Sequence, residues 1–425
     1  MKKIRSAVSF LLTVILCALT FSSCFYGDSE LRSGDYRYTV ENGEVTITQY
    51  VGKDSEITVP ESINGMPVVA IAGSAFHNCD SIRSVTFPDS VVSIGYLVFS
   101  KCDALEQVTL GRGVREIDFS PFSFCEKMTY HEYENGYYIG SDENPYLALV
   151  SAVSKDIETI TVHPDTVVVC GSSLARCFKL REVTFPSGVV SIGDFTFNHC
   201  SSLETVYLPE SVESIGGLVF IGCDSLMNIV VSDENSHFKS VDGSLFSRDG
   251  TRLIRYTVGQ ENSSYRVPNG TVSIESYAFE NAKHLTEVVL ADSVEVIGHS
   301  AFLHCKKLRT IDFGNSLKSI GGQAFGFCDS LTQITIPDSV EVLSYSIFSS
   351  CKNLETAVIG SGVTSIDTEI FSDCNALREV TFRDPEGWRI KTMYALFSKK
   401  IDLSDPKQNA EYLVDEYSHY YWLKD

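Results

Sequence analysis

The chain is short of positive charge: 34 Lys and Arg stand against 55 Asp and Glu, a formal net charge of −21 over 425 residues. Phosphate binding needs clustered Lys and Arg, so nucleic acid and anionic lipid are poor electrostatic partners. Beyond the first 24 residues no stretch approaches ~18 consecutive apolar residues, the length a membrane-spanning helix needs. C-x-x-C pairs are missing although there are 13 Cys, and with them the usual mark of a zinc site. None of the nine His stands in H-E-x-x-H spacing. G-x-S-x-G, phosphate-loop and dinucleotide fingerprints are missing too. These gaps point away from the common catalytic classes, so the expectation is a non-enzyme with no cofactor and no resident metal. What is present is foldable: 44% hydrophobic and 21% charged is a globular composition. Length alone suggests about three domains at ~150 residues each, unless the chain is a repeat array.

The start of the chain reads as an address. Lys2, Lys3 and Arg5 precede the apolar run AVSFLLTVILCALTFSSC, a basic region followed by a hydrophobic one, as in a secretory signal. Phe21-Ser22-Ser23-Cys24 resembles a bacterial lipobox, with Phe21 where Leu is commoner. The resemblance implies a signal peptide over 1–23 and lipid attachment at Cys24. Residues 24–34 are then a tether reaching at most about 35 Å. This anchors the protein to a bacterial membrane through lipid alone, exposed at the cell surface if that membrane is the outer one.

A fixed period organises the rest. Cys recurs at 79, 102 and 125, at 177, 200 and 223, and at 305, 328, 351 and 374, always in steps of 23. Ala282 takes the slot before Cys305. Three residues ahead of the slot stands Phe in ten of eleven turns, from Phe76 to Phe371, with Leu174 in the other. Within a turn, L-x-x-V-x-L (Leu203, Val206, Leu208) places alternate apolar residues on one face of a strand. Pro-Asp-Ser or Gly-x-Gly breaks it. V-x-x-I (Val212, Ile215) turns inward again, and A-F-x-x-C makes a turn or a short helical turn with Phe at the coil centre. One coil cannot bury these residues alone, but stacked coils can, with the strands in one continuous parallel sheet.

The string L-x-x-V-T-I-P-D-S-V-x-x-I-G-x-x-A-F-x-x-C resembles the BspA-like leucine-rich repeat family of bacterial surface proteins. The resemblance covers roughly residues 35–382, and 36–76 look like the family's opening repeat. It implies an α/β, β-rich solenoid: a curved right-handed horseshoe of 23-residue coils. It also implies the class of function, since some members are associated with adhesion to host matrix proteins and to other cells.

The Cys row admits a disulfide chain or a metal ladder, but pairing of neighbours is inconsistent across runs of three, three and four. Buried free Cys, acting as a small hydrophobe, accounts for it better, and Cys170 falls on the core slot of Ile192. Two inserts, about 130–157 and 232–266, interrupt the period with hairpin signals at Asn135-Gly136, Asp242-Gly243 and Asp249-Gly250. The acidic turns at Asp142-Glu143 and Asp233-Glu234 carry oxygens of the kind calcium takes, without a second acidic shell. Residues 383–425 read as a C-terminal cap. Asp405-Pro406 starts a helix whose apolar face is Ala410, Leu413, Val414, Tyr417 and Tyr421.

Surface remains as the working part. Outward strand positions form a column through Tyr207, Val230, Val289 and Asp312, a stripe that suits either contact or β-propensity alone. Expected partners are a protein or glycan on a host, a neighbouring cell or the chain's own envelope, with the lipid as the only membrane contact. For a glycan, Tyr133, Tyr137 and Tyr138 of the first insert would stack on sugar rings. An envelope scaffold or accessory subunit is the further alternative.

Overall fold

Each coil folds around an alternation. In the strand Glu182–Thr184, Val183 points inward and Glu182 and Thr184 point out; Pro186 ends the strand, and Ser191–Ile192 forms a second, two-residue strand. Repeated, this makes a β-solenoid of about 15 turns of roughly 23 residues. The structure is a computed structural model and describes residues 30–393 and 398–424.

The sheet is arranged differently from the expectation. The L-x-x-V-x-L strands do not run on continuously; they divide into four parallel sheets of three strands each, for example Glu182–Thr184, Thr205–Leu208 and Asn228–Val231. The short V-x-x-I strands carry the long sheets, of 7, 6 and 11 strands. Among the described residues helix is scarce, so the α component of the expectation shrinks to Pro406–Glu411, capped by Asp405, which accepts from the Lys407 N–H.

The A-F-x-x-C segment is a turn without a helix. In each coil the residue just before this segment and the residue before its Cys slot lie in the left-handed region, and almost none is Gly. The residue before the Cys slot is Lys101 (φ 61°), His199 (59°), His304 (61°) or Phe327 (59°). This turn drops the Phe ring into the coil centre, where the rings form a column. Phe325 lies 5.0 Å from Phe302 and 5.4 Å from Phe348, centroid to centroid and nearly parallel.

The inserts are not detours but coils in their own right. Each is an antiparallel three-stranded unit whose last strand joins the parallel stack. The first comprises His131–Tyr133, Gly136–Ile139 and Ala148–Ala152; the second Phe238–Val241, Ser244–Ser247 and Arg252–Arg255. The opening unit Leu31–Ser33, Tyr36–Glu41 and Glu44–Tyr50 has the same form. The residue after or at the end of each last strand enters the Phe column: Tyr50, Ala152 and Tyr256 donate their N–H to Ala75, Ser173 and Ala278 at 2.8, 3.0 and 2.9 Å. Tyr256 stacks on Phe279 at 5.0 Å. In the first insert the turn residues are Glu134 and Asn135, with Gly136 already in the strand. The apolar interior divides into three contiguous clusters, each led by one of these units.

At the far end, the strand Tyr421–Lys424 runs antiparallel beside Ser365–Ile366 and Trp388–Lys391. Tyr421 therefore belongs to a strand, not to the expected helical face. The helix widens into a π turn at Tyr412–Glu416, and a strand follows. Trp388 and Trp422 plug the last coil, each 1% exposed.

Candidate interaction surface

The outward column depends on register. Thr184, Tyr207 and Val230 are direct neighbours on three adjacent strands, as are Val289 and Asp312 on another ribbon. Tyr207 and Val230 are 37% and 41% exposed, and Met227, one residue ahead of its strand, is 39% exposed. Tyr207 and Val230, opposite each other on adjacent strands, form an exposed apolar pair on an acidic protein. Val289 is half-buried, and Asp312 is exposed at the edge of a cleft. Because the row breaks between ribbons, the first pair and the second pair do not make one stripe. The alternation also puts Met227 outward, in the neighbouring, mostly charged column, although it does not single it out as a contact residue. In that column two ion pairs bridge successive coils, Arg181–Glu204 at 3.2 Å and Arg378–Glu355. Exposed pairs of this kind contribute about 0–1 kcal/mol each.

The tyrosine cluster packs inward. Tyr138 is 0% exposed and accepts a hydrogen bond from the His163 N–H at 3.2 Å, with burial pushing its phenol up to about 12. Its ring cannot meet a sugar, which corrects the expectation for that residue. Tyr133 is half-buried with its ring edge-on to His163 at 4.6 Å, and Tyr146 stacks on the same imidazole at 3.8 Å. Tyr137 is half-buried against Tyr130. The cluster closes the first hairpin over the solenoid.

Two other solvent-facing rings stand at a coil corner. Tyr96 and Tyr345 lie across Gly73 and Gly322 of the preceding coil; a Cβ on either Gly would meet the ring at 2.5 or 2.6 Å. Gly in the coil before an exposed Tyr was the available sequence signal. Tyr345 reaches on to His299, its hydroxyl 3.4 Å from Nδ1.

All eleven described cysteines are free thiols, ten of them buried. Burial raises the pKa values of Cys125, Cys170 and Cys177, and brings those of Cys102, Cys200 and Cys305 up to about 12. Such thiols are poor nucleophiles and poor ligands. His199 and His304 are out on the left-handed turn, His304 against the Phe327 ring at 4.6 Å, while the adjacent Cys faces inward. In the acidic turns, Glu143 lies 3.5 Å from Arg112 and Glu234 accepts from Ser232. Among the described residues no group of three His, Cys, Asp or Glu is placed to hold a metal ion. Cys24 lies outside the described residues.

The family model described as "BspA type Leucine rich repeat region" matches the chain in six copies, over residues 49–143, 152–268 and 272–386. A leucine rich cell surface protein from Faecalibacterium prausnitzii A2-165 is 26% identical, with 85% of this chain and 96% of that one covered and a TM-score of 0.49. The pneumococcal vaccine antigen PcpA is 23% identical, with 84% and 87% covered and a TM-score of 0.51. A leucine-rich repeat protein from Eubacterium ventriosum ATCC 27560 is 21% identical, with 82% and 83% covered and a TM-score of 0.48. None of the curated proteins matches the chain.

Proposed function

The chain belongs to the BspA-type leucine-rich repeat family, and on that premise we propose that it is a lipid-anchored surface protein that binds another protein through the strand face of its solenoid. Members of the family are bacterial surface proteins, and leucine-rich repeats generally serve as non-catalytic scaffolds for protein binding. The observation that carries the reading is the exposed pair Tyr207 and Val230 on adjacent coils, with exposed Met227 on the same coil as Val230. Tyrosine and methionine are favoured anchors in protein interfaces. An isolated apolar patch on a strongly acidic surface costs solubility unless it is used.

Among the described residues no helix is long and apolar enough to cross a membrane. Attachment in this reading comes from the lipobox-like Phe21–Cys24. A Cys24→Ser variant expressed in cells should be released from the membrane fraction, and labelled fatty acid should be incorporated only with Cys24 intact. Protease shaving of intact cells tests exposure; a protected solenoid would sink the adhesive role. For binding, a soluble 25–425 fragment is probed against matrix proteins and isolated cell envelopes. The Tyr207→Ala/Val230→Asp variant should lose at least tenfold in affinity while keeping its melting temperature. Unchanged affinity would rule out this patch.

A further inference from the structure

Along the strand row, the backbone groups of one coil are normally used by the next. The N–H groups of Arg309 and Thr310 both donate to Thr286 O, at 2.8 and 3.3 Å, and Leu290 N–H donates to Asp312 O at 2.8 Å. At the following junction the equivalent bonds would run from Thr332 and Gln333 to Arg309 O, and from Phe313 to Thr335 O. Among the described residues all three are missing, and the strands Thr310–Asp312 and Gln333–Thr335 fall in separate sheets. One coil further on the pattern returns, with Glu355 donating to Thr332 O and Ile336 to Val358 O, both at 2.8 Å.

The two other interruptions of this row coincide with the inserted hairpins; this one falls between two coils of ordinary length. The same coils stay joined elsewhere: Ser319 pairs with Val342, and the Phe302 and Phe325 rings stack at 5.0 Å. They part only on the strand side. A local cause is visible in the sequence. Gly314-Asn315-Ser316 stands where the neighbouring coils have Ala291-Asp292-Ser293 and Pro337-Asp338-Ser339, and Gly314 has φ +64°.

The parting leaves a cleft of about 440 Å³ lined by Asp312, Asn315, Thr335, Asp338, Ser339 and Arg383 among others. Its groups are primed for a polar, extended occupant. The Ser339 hydroxyl is buried without a hydrogen-bond partner. Asp338 accepts from the Ser361 N–H and from Arg383, both at 2.8 Å. The Asp312 carboxylate accepts only from the Gly314 N–H, at 3.1 Å, and among the described residues it has no cationic partner.

We propose that this cleft takes an extended peptide segment of a partner protein, whose backbone occupies the open strand edges and whose Lys or Arg side chain meets Asp312. Open edges are the template for strand addition, in which backbone bonds give affinity and side-chain contacts give selectivity. The net charge of the chain favours a basic segment over an acidic one. The inference rests on the protein-binding reading above but uses different residues, so the two can fail separately.

The test uses the soluble 25–425 fragment and a fluorescein-labelled alternating Val-Lys octapeptide. Hydrogen exchange of the free fragment comes first: amides at 332–335 should exchange at least tenfold faster than those at 286–289. Equal protection would show a closed ladder and overturn the proposal. The peptide should then bind and slow exchange at 309–316 and 332–339, with Asp312→Asn weakening it severalfold. Alternate N-methylation of its backbone, or Glu in place of Lys, should abolish binding. Binding indifferent to both changes, protection at another place, or no binding would overturn it. The Tyr207→Ala/Val230→Asp variant should bind the peptide normally; if it does not, the cleft is not an independent site.

Discussion

The thiol of Cys125 donates to the backbone carbonyl of Phe99, 26 residues earlier, at 2.9 Å. The same bond recurs from Cys102 to Phe76, from Cys200 to Leu174, from Cys305 to Phe279 and from Cys374 to Phe348, at 2.9 to 3.1 Å. The turn that sends each Phe inward buries its carbonyl. A small side chain with one weak donor satisfies that carbonyl without overfilling the space. Cys is thus both spacer and partner.

The thiols should resist modification. In native protein the buried row should not react with a disulfide reagent at pH 8, and the half-buried Cys79, raised by burial and Asp80, should react first and slowly. Complete reaction should require denaturant. Rapid native titration of several thiols would contradict the burial.

Stability should fall in alkali. A thiol is neutral when protonated, and burial holds the folded pKa of Cys102, Cys200 and Cys305 near 12, above the ordinary value of 9.0. Above pH 9 the unfolded chain therefore binds fewer protons than the folded one, and each such thiol contributes a loss of about 1.4 kcal/mol per pH unit. That stability is fully present below pH 9. Urea midpoints from pH 7.5 to 10.5 check it, and the Cys102→Ala/Cys200→Ala/Cys305→Ala variant should show a shallower slope.

Phe325→Ala should cost about 3–5 kcal/mol, since it empties the ring column between Phe302 and Phe348. Cys328→Ala should cost about 1–2 kcal/mol, because Phe302 O loses its donor at 3.3 Å while little volume is lost. The natural Ala282 shows that the slot tolerates this change. Equal costs would mean that the thiol bond matters more than its geometry suggests.

Lys101→Gly should stabilise by about 0.5–1 kcal/mol. Lys101 is exposed and holds φ 61°, where a Cβ is strained, and Gly222 already occupies the equivalent position. A rise in melting temperature checks it. A fall would show that the added freedom of the unfolded chain outweighs the relieved strain.

Removing the C-terminal strand should expose an edge. A chain ending at residue 404 loses Trp422 and leaves Ser365–Ile366 unpaired on that side. Such edges template association, so light scattering should report aggregation.

The period, the solenoid and the inward Phe and Cys were legible because the same residue types return in step. The coils led by Tyr50, Ala152 and Tyr256 were not, because antiparallel hairpins deliver them off the period: Tyr256 comes 36 residues after Phe220. Left-handed residues such as Lys101 and Phe327 escaped notice since their types carry no backbone signal. Tyr421 continued a helical spacing but was diverted into a strand by the need to seal the last coil. At the candidate surface, Tyr207 and Val230 were found from alternation alone. The burial of Tyr138 needed the third dimension, as did the parting of two coils beside Asp312.

The thiol-to-carbonyl bond also bears on how such a gene changes over time. Every regular junction repeats the previous one after a shift of 23 residues, so coils 74–95 and 300–321 present the same upper and lower faces. Unequal crossing-over that adds or deletes whole periods between such segments joins compatible faces and leaves both sealed ends untouched. Length is therefore heritable variation that selection can act on without rebuilding a core, and the acidic outer surface lengthens or shortens with it.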